Sequence, residues 1–167
     1  MHNIRLLKEV AEGRYREIEG IYYDDFEVGS IIEHRPGRTV SDADNTWQSL
    51  LSHNNHPLHI NEHYASQTEF GKIVVSSLVT LSIVGGLSTR STSGVSIANL
   101  GWNNIRLVSP VFVGDTIYAE TEIASKRLST SRPGVGIVEF NTRGLKADGT
   151  IFMTFNRSAL IPLCGNP

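Results

Sequence analysis

Four of the six histidines in this 167-residue chain stand between residues 53 and 63. The stretch reads Ser52-His53-Asn54-Asn55-His56-Pro57-Leu58-His59-Ile60-Asn61-Glu62-His63. Imidazole supports two kinds of chemistry: it ligates metals such as zinc, and when neutral it takes a proton from water. The spacing speaks against a metal. There is no HExxH pair, and Pro57 breaks the helical geometry that would put His56 and His59 on one face, although His59 and His63 would be neighbours on a helix. The bland reading of most of these side chains is a polar loop. His59 differs by position. It follows a rigid proline and the apolar Leu58, just before a helix start, where partial positive charge disfavours imidazolium. That setting fits a neutral general base. Asn54, five residues earlier in the sequence, donates and accepts hydrogen bonds but cannot take a proton. Glu62 is a nearby carboxylate that reads equally as a cap or a solvated side chain.

These residues need elements to hold them. Ser41-Asp42-Ala43-Asp44 combines an N-cap hydroxyl with Asp44 at N3, a short-armed capping box. It starts a helix whose apolar face is Trp47, Leu50 and Leu51, and it makes Asp42 and Asp44 helix-start residues. That helix must end before SHNNHP, because Pro57 forbids its continuation. Asn61 caps a second short helix through Tyr64 and Ala65. Residues 73–88, IVVSSLVTLSIVGGLS, form the longest apolar stretch, and their length and small side chains predict a buried helix. Upstream, 31–40 reads as a strand interrupted near Pro36-Gly37. From residue 95 the period changes and successive strands follow, with Ile117, Ala119 and Ile123 alternating against Tyr118, Glu120 and Glu122. Ala147-Asp148-Gly149 marks a hairpin turn. Ile4, Leu7, Val10 and Ala11 give an apolar stripe, which predicts a helix or arm over 1–20. The sum is an α+β fold, a mostly antiparallel sheet covered by one long helix. It places a single domain over 21–162, between that arm and a tail at 163–167.

Composition removes several function classes. Fifteen basic and 17 acidic residues leave a net charge of -2, so no basic surplus points to nucleic acid or an anionic membrane. No apolar run reaches the length of a membrane span. The first 20 residues lack an apolar core and carry Glu9, Glu12, Glu17 and Glu19, against a signal or transit peptide. The single cysteine, Cys164, excludes an internal disulfide framework and makes a reducing, cytoplasmic setting the expectation. No P-loop, dinucleotide fingerprint or GxSxG elbow occurs.

The histidine stretch resembles the signature of the MaoC-like dehydratases, Gly-Asp-x-Asn-Pro-x-His. Pro57 and His59 match it. Asn54 stands where that family has a catalytic Asp, His53 where it has Gly, and His56 where it has Asn. From Tyr22 to Leu160 the chain looks most like a subgroup of mesaconyl-CoA or β-methylmalyl-CoA dehydratases. The segments YYDDFEVG, HRPGRTVSDADN, HPLHINEHYA, TEFGKIVVSS, PVFVGDTIYAETEI and KRLSTSRPGVGIVEF carry the likeness.

The resemblance implies a hot-dog fold, an antiparallel sheet wrapped around a long central helix, and a homodimer or higher oligomer with sites near the interface. It implies reversible hydration of an enoyl-CoA thioester, with a small branched or carboxylated acyl group. His59 would be base in hydration and acid in dehydration, Asn54 would orient water, and the Ser77 N–H would hold the thioester oxygen. Ser76 and His53 would touch substrate. Lys126, Arg127 and Arg132 would meet CoA phosphates, unless they simply solvate a hairpin. Asp115, after Gly114, reads as a turn residue or as a group near the acyl site. No metal or other cofactor is implied, since the thioester itself stabilises charge at C2. Asn54 in place of Asp keeps two other readings open: a thioesterase on the same fold, and a non-catalytic acyl-CoA-binding protein.

Overall fold

The computed structural model describes residues 7–17 and 20–165. Its main sheet has five antiparallel strands in the order β3-β5-β6-β7-β4. In chain order these are β3 (Ile31–Thr39), β4 (Ala98–Leu107), β5 (Thr116–Leu128), β6 (Val135–Lys146) and β7 (Ile151–Pro162). Ile117, Ala119 and Ile123 are fully buried, so the alternation read from β5 sets its inner face. Gly149 (φ +86°) turns β6 into β7, a left-handed position that glycine adopts freely.

Helix α4 (Ser77–Thr92) packs on the sheet. Val79, Ile83 and Val84 join Ile117, Ala119, Phe152, Met153 and Phe155 in one core cluster. Fully burying a valine such as Val84 stabilises by about 1.5–2 kcal/mol. The approach is close: a Cβ on Gly144 would stand 2.6 Å from the Phe152 ring and 2.9 Å from Val84. The buried hydroxyls of α4 bond back to its own carbonyls, Ser88 to Gly85 at 2.8 Å and Thr92 to Ser88 at 2.6 Å. A second apolar cluster gathers Phe26, Ile123, Phe140 and Ile161.

Polar side chains divide the two clusters. On β5, Thr121 lies between Ala119 and Ile123; on β7, Arg157 lies between Phe155 and Ala159. Arg157 is 4% exposed. It donates to Ser88 and Thr92 and lies over the rings of Trp102 and Phe140. His34 bonds Ser91 through Nδ1 at 2.9 Å and Thr121 through Nε2 at 2.8 Å. Burial, with help from Arg157 and Arg35, lowers the His34 pKa from 6.5 to about 4. The unfolded chain therefore binds the extra proton between these values, and stability falls as pH drops through that window. The loss approaches about 3 kcal/mol at the acid end. Urea midpoints measured from pH 7 to 4 are expected to fall, and His34→Gln is expected to remove that part of the slope. An identical slope in the variant would refute the assignment.

The structure adds detail to three expectations. Residues 7–17 form a hairpin, β1 (Leu7–Ala11) against β2 (Arg14–Glu17), where the stripe predicted a helix or an arm. Gly13 (φ +65°) turns the chain there, and Tyr15 pairs across from Glu9 in the register. Ile4 lies outside the described residues. The apolar stretch at 73–88 becomes a helix only from Ser77, because Val74 first bridges to Phe112 and the Val75 N–H donates to Val111. The tail is tied down as far as Cys164, whose N–H donates to Asp24 at 2.7 Å. Among the described residues no helix is long and apolar enough to cross a membrane.

Candidate active site

The segment between β3 and α4 carries three helices: α1 (Asp42–Leu51), α2 (Pro57–Ile60) and α3 (Glu62–Ser66). The capping box at Ser41 and Asp44 forms on both sides and starts α1, as read from the sequence. The buried side of α1 is not the expected one. Asn45 and Ser49 are fully buried, while Trp47, Leu50 and Leu51 are 76%, 54% and 77% exposed. Pro57 ends nothing by itself; it opens the single turn α2, its missing N–H costing nothing at a first helical position. The His56 ring caps that turn by accepting from the Leu58 N–H, and Asn61 caps α3.

Asn45 stitches this segment to the start of α4. Its Nδ2 donates to the His59 carbonyl at 2.7 Å, and its Oδ1 accepts from the Ser76 N–H at 2.9 Å. The Val74 N–H donates to the Leu58 carbonyl at 3.2 Å. The His59 ring is fixed by Nδ1, 2.7 Å from the Val74 carbonyl. A carbonyl only accepts, so Nδ1 is the donor and Nε2 is the ring atom left to exchange a proton. Asn54 donates from Nδ2 to the Ser76 hydroxyl at 3.1 Å.

His59 and Ser77 line one pocket of about 450 Å³, with Phe70, Val74, Thr80, Leu107, Val108 and Phe152 among its walls. No Lys, Arg, Asp or Glu lines it. Ser77 is the first residue of α4, so its N–H has no carbonyl to reach inside the helix. The 16-residue helix adds its positive end there. An imidazole and a helix N-terminus thus line one largely apolar space, where electrostatic effects exceed those in water.

A profile of the MaoC-like domain matches residues 25–141. The chain belongs to the MaoC-like domain family. Among relatives, it is 28% identical over 142 residues to the mesaconyl-CoA hydratase of Cereibacter sphaeroides, covering 85% of this chain and 41% of that one. It is 33% identical over 125 residues to the β-methylmalyl-CoA dehydratase of Chloroflexus aurantiacus, covering 74% and 35%. The MaoC-like chain thus spans about two-fifths or less of the length of these curated relatives. Among solved structures, a Mycobacterium tuberculosis protein described as a double hot-dog superposes with a TM-score of 0.81 at 23% identity, over 89% of this chain and 46% of that one. The α+β hot-dog reading of the fold holds.

The pocket gathers only part of the residues that the sequence suggested: His59 and Ser77 line it. Asn54 and Ser76 are bonded to each other beside the start of α4 but are not among the lining residues. His53 is exposed in a left-handed turn (φ +55°) and does not line the pocket. Lys126 is spent on the fold: its Nζ donates to the Tyr23 and Phe26 carbonyls. Arg127 and Arg132 are exposed near the β5–β6 hairpin loop. For Arg127 that is roughly 36 Å of extended strand away from Thr116, at 3.3 Å per residue. Asp115 holds the turn before β5, accepting from the Phe112 N–H at 3.0 Å and from Lys146 at 2.8 Å. These bonds hold its pKa below the usual carboxylate value, against the opposing effect of burial. Asn45 was missed. Its signal is a polar i, i+4 stripe with Ser49 on α1, overshadowed by the more conspicuous Trp47, Leu50 and Leu51.

Proposed function

We propose that this protein adds water reversibly across the C2–C3 double bond of an enoyl-CoA thioester. One observation carries the reading: His59, its Nδ1 tied to the Val74 carbonyl, and Ser77, the first residue of α4, line one largely apolar pocket. In hydration, water oxygen bonds to C3 while its proton passes to His59 Nε2. The electron pair of the double bond moves toward the thioester oxygen, which the Ser77 N–H receives. His59 then returns its proton to C2, and dehydration runs the same steps backwards. Asn54, held by Ser76, is the residue we assign to orienting the water. The names borne by the relatives, mesaconyl-CoA hydratase and β-methylmalyl-CoA dehydratase, support a small carboxylated acyl group.

The test offers mesaconyl-CoA and crotonyl-CoA and follows both loss of the enoyl chromophore and release of free CoA. Hydration without CoA release is expected. Release of CoA would favour the thioesterase, although no carboxylate base lines the pocket. Binding with neither product would make this an acyl-CoA-binding protein. Asn54→Ala is expected to lower kcat about tenfold with an unchanged melting temperature, near the lower end of what positioning of a proton-transfer partner contributes. An unchanged kcat would remove Asn54 from the mechanism.

The partner in this reading is a second copy. Strand β4 is an unpaired edge of the sheet, and Leu107 and Val108 at its end are 56% and 59% exposed while lining the pocket. An open apolar edge of this kind is normally covered. The double hot-dog of the tuberculosis protein, which this chain half-covers, supports pairing of two such units. Light scattering on the purified chain distinguishes a dimer from a monomer.

A further inference from the structure

A second large cavity lies toward the other end of α4. Its walls come from the irregular part of β3, where the register with β5 shifts between His34 and Arg38, and from Leu87, Arg90 and Ser91 of α4, with Ile21 beside them. Its volume is about 630 Å³, against about 450 Å³ for the pocket at His59. The two share no lining residue. Ser77 and Arg90 are about 20 Å apart along the helix at 1.5 Å per residue.

The charges in this cavity can be counted. Arg35 pairs with Glu33 at 3.3 Å and lies over the Tyr118 ring. Arg38 pairs with Asp44. Arg90 is exposed and has no carboxylate partner among the described residues. His34, on the inner wall, is neutral, with both ring nitrogens bonded to hydroxyls. Among the described residues one guanidinium is therefore left in excess. Ile21, Pro36 and Leu87 supply apolar wall. Arg90 also lies in the last turn of α4, whose partial negative charge opposes every anion and a doubly charged one most, so the guanidinium outweighs it more readily for a single charge. By contrast, the His59 pocket has no cation in its lining.

We propose that the cavity between the irregular part of β3 and the C-terminal half of α4 binds an aliphatic monocarboxylate. Arg90 holds the carboxylate, through the charge-assisted bonds that a guanidinium fork makes with such groups, and Ile21, Pro36 and Leu87 cover the chain. This site is independent of the hydratase reading, since it uses none of the residues around His59.

Octanoate is the probe, titrated into the ¹⁵N-labelled full chain and followed by amide shifts and calorimetry. Saturable shifts at Leu87, Arg90 and Ser91 are expected, without comparable shifts at His59 or Ser77. Arg90→Gln is expected to weaken octanoate about tenfold, the loss of one charged partner, and to leave enoyl-CoA turnover unchanged. Three results overturn the proposal: no saturable binding in the millimolar range, equal affinity in Arg90→Gln, or equal binding of 1-octanol, which has no charge to hold. Shifts centred on His59 would likewise overturn it, by assigning octanoate to the reaction pocket.

Discussion

His59→Ala is expected to lower kcat for enoyl-CoA hydration by about 10²–10⁴-fold, the usual contribution of a positioned general base. The fold should survive. His59 is only partly buried, and its ring makes one hydrogen bond, to the Val74 carbonyl. Losing that bond costs about 1 kcal/mol, small against the stability of a typical domain. His59→Gln sharpens the result. Its amide can still donate to Val74, but it has no lone pair basic enough to take a proton, so activity should stay lost while the melting temperature recovers. Turnover within threefold of wild type in either variant would sink the mechanism.

Asn45→Ala is expected to be costly for both stability and activity. Asn45 is fully buried and satisfies two backbone groups at once, the His59 carbonyl and the Ser76 N–H. Removing it strands both away from water, at about 1–3 kcal/mol each. A loss of about 2–6 kcal/mol in urea unfolding is the expected sum. Activity should fall as well, because the same two bonds set His59 against the start of α4, and small displacements of a catalytic group are expensive. Asn45→Asp should be no better: a carboxylate can accept from Ser76 but faces the His59 carbonyl without a proton to give. A destabilisation below 1 kcal/mol with full turnover would show that the stitch is dispensable.

Local signals were read correctly where the physics is local. The Ser41–Asp44 box, the Asn61 cap, the Gly149 turn and the alternation of Ile117, Ala119 and Ile123 each depend on neighbours in sequence, and each is present. The failures are tertiary. Nothing within α1 says which side will meet α4, and burial of Asn45 and Ser49 over Trp47 is decided by a hydrogen-bond partner thirty-one residues away. Arg157 hides in the same way. Its place in the Phe155-Arg157-Ala159 alternation points it inward, but only the hydroxyls of Ser88 and Thr92 make that tolerable. The basic groups at 126–132 show the same dependence on tertiary partners: their chemistry suits phosphate or a solvated hairpin, and only the fold reveals that Lys126 is bonded to the Tyr23 and Phe26 carbonyls.

The strand order has a consequence for how the molecule is made. Strand β4 leaves the ribosome before β5 and β6, but its only neighbour in the sheet is β7, the last strand. Until Ile151–Pro162 has emerged, β4 has no edge to pair with, and α4 lacks Phe152 and Phe155 beneath it. The pocket wall at Val108 waits as well, since its N–H is held by the Phe152 carbonyl at 2.9 Å. Non-local pairing of this kind closes late and slowly. The pocket at His59 is thus completed only once the final strand has emerged, and a stop before Phe152 removes both a wall residue and the partner of Val108.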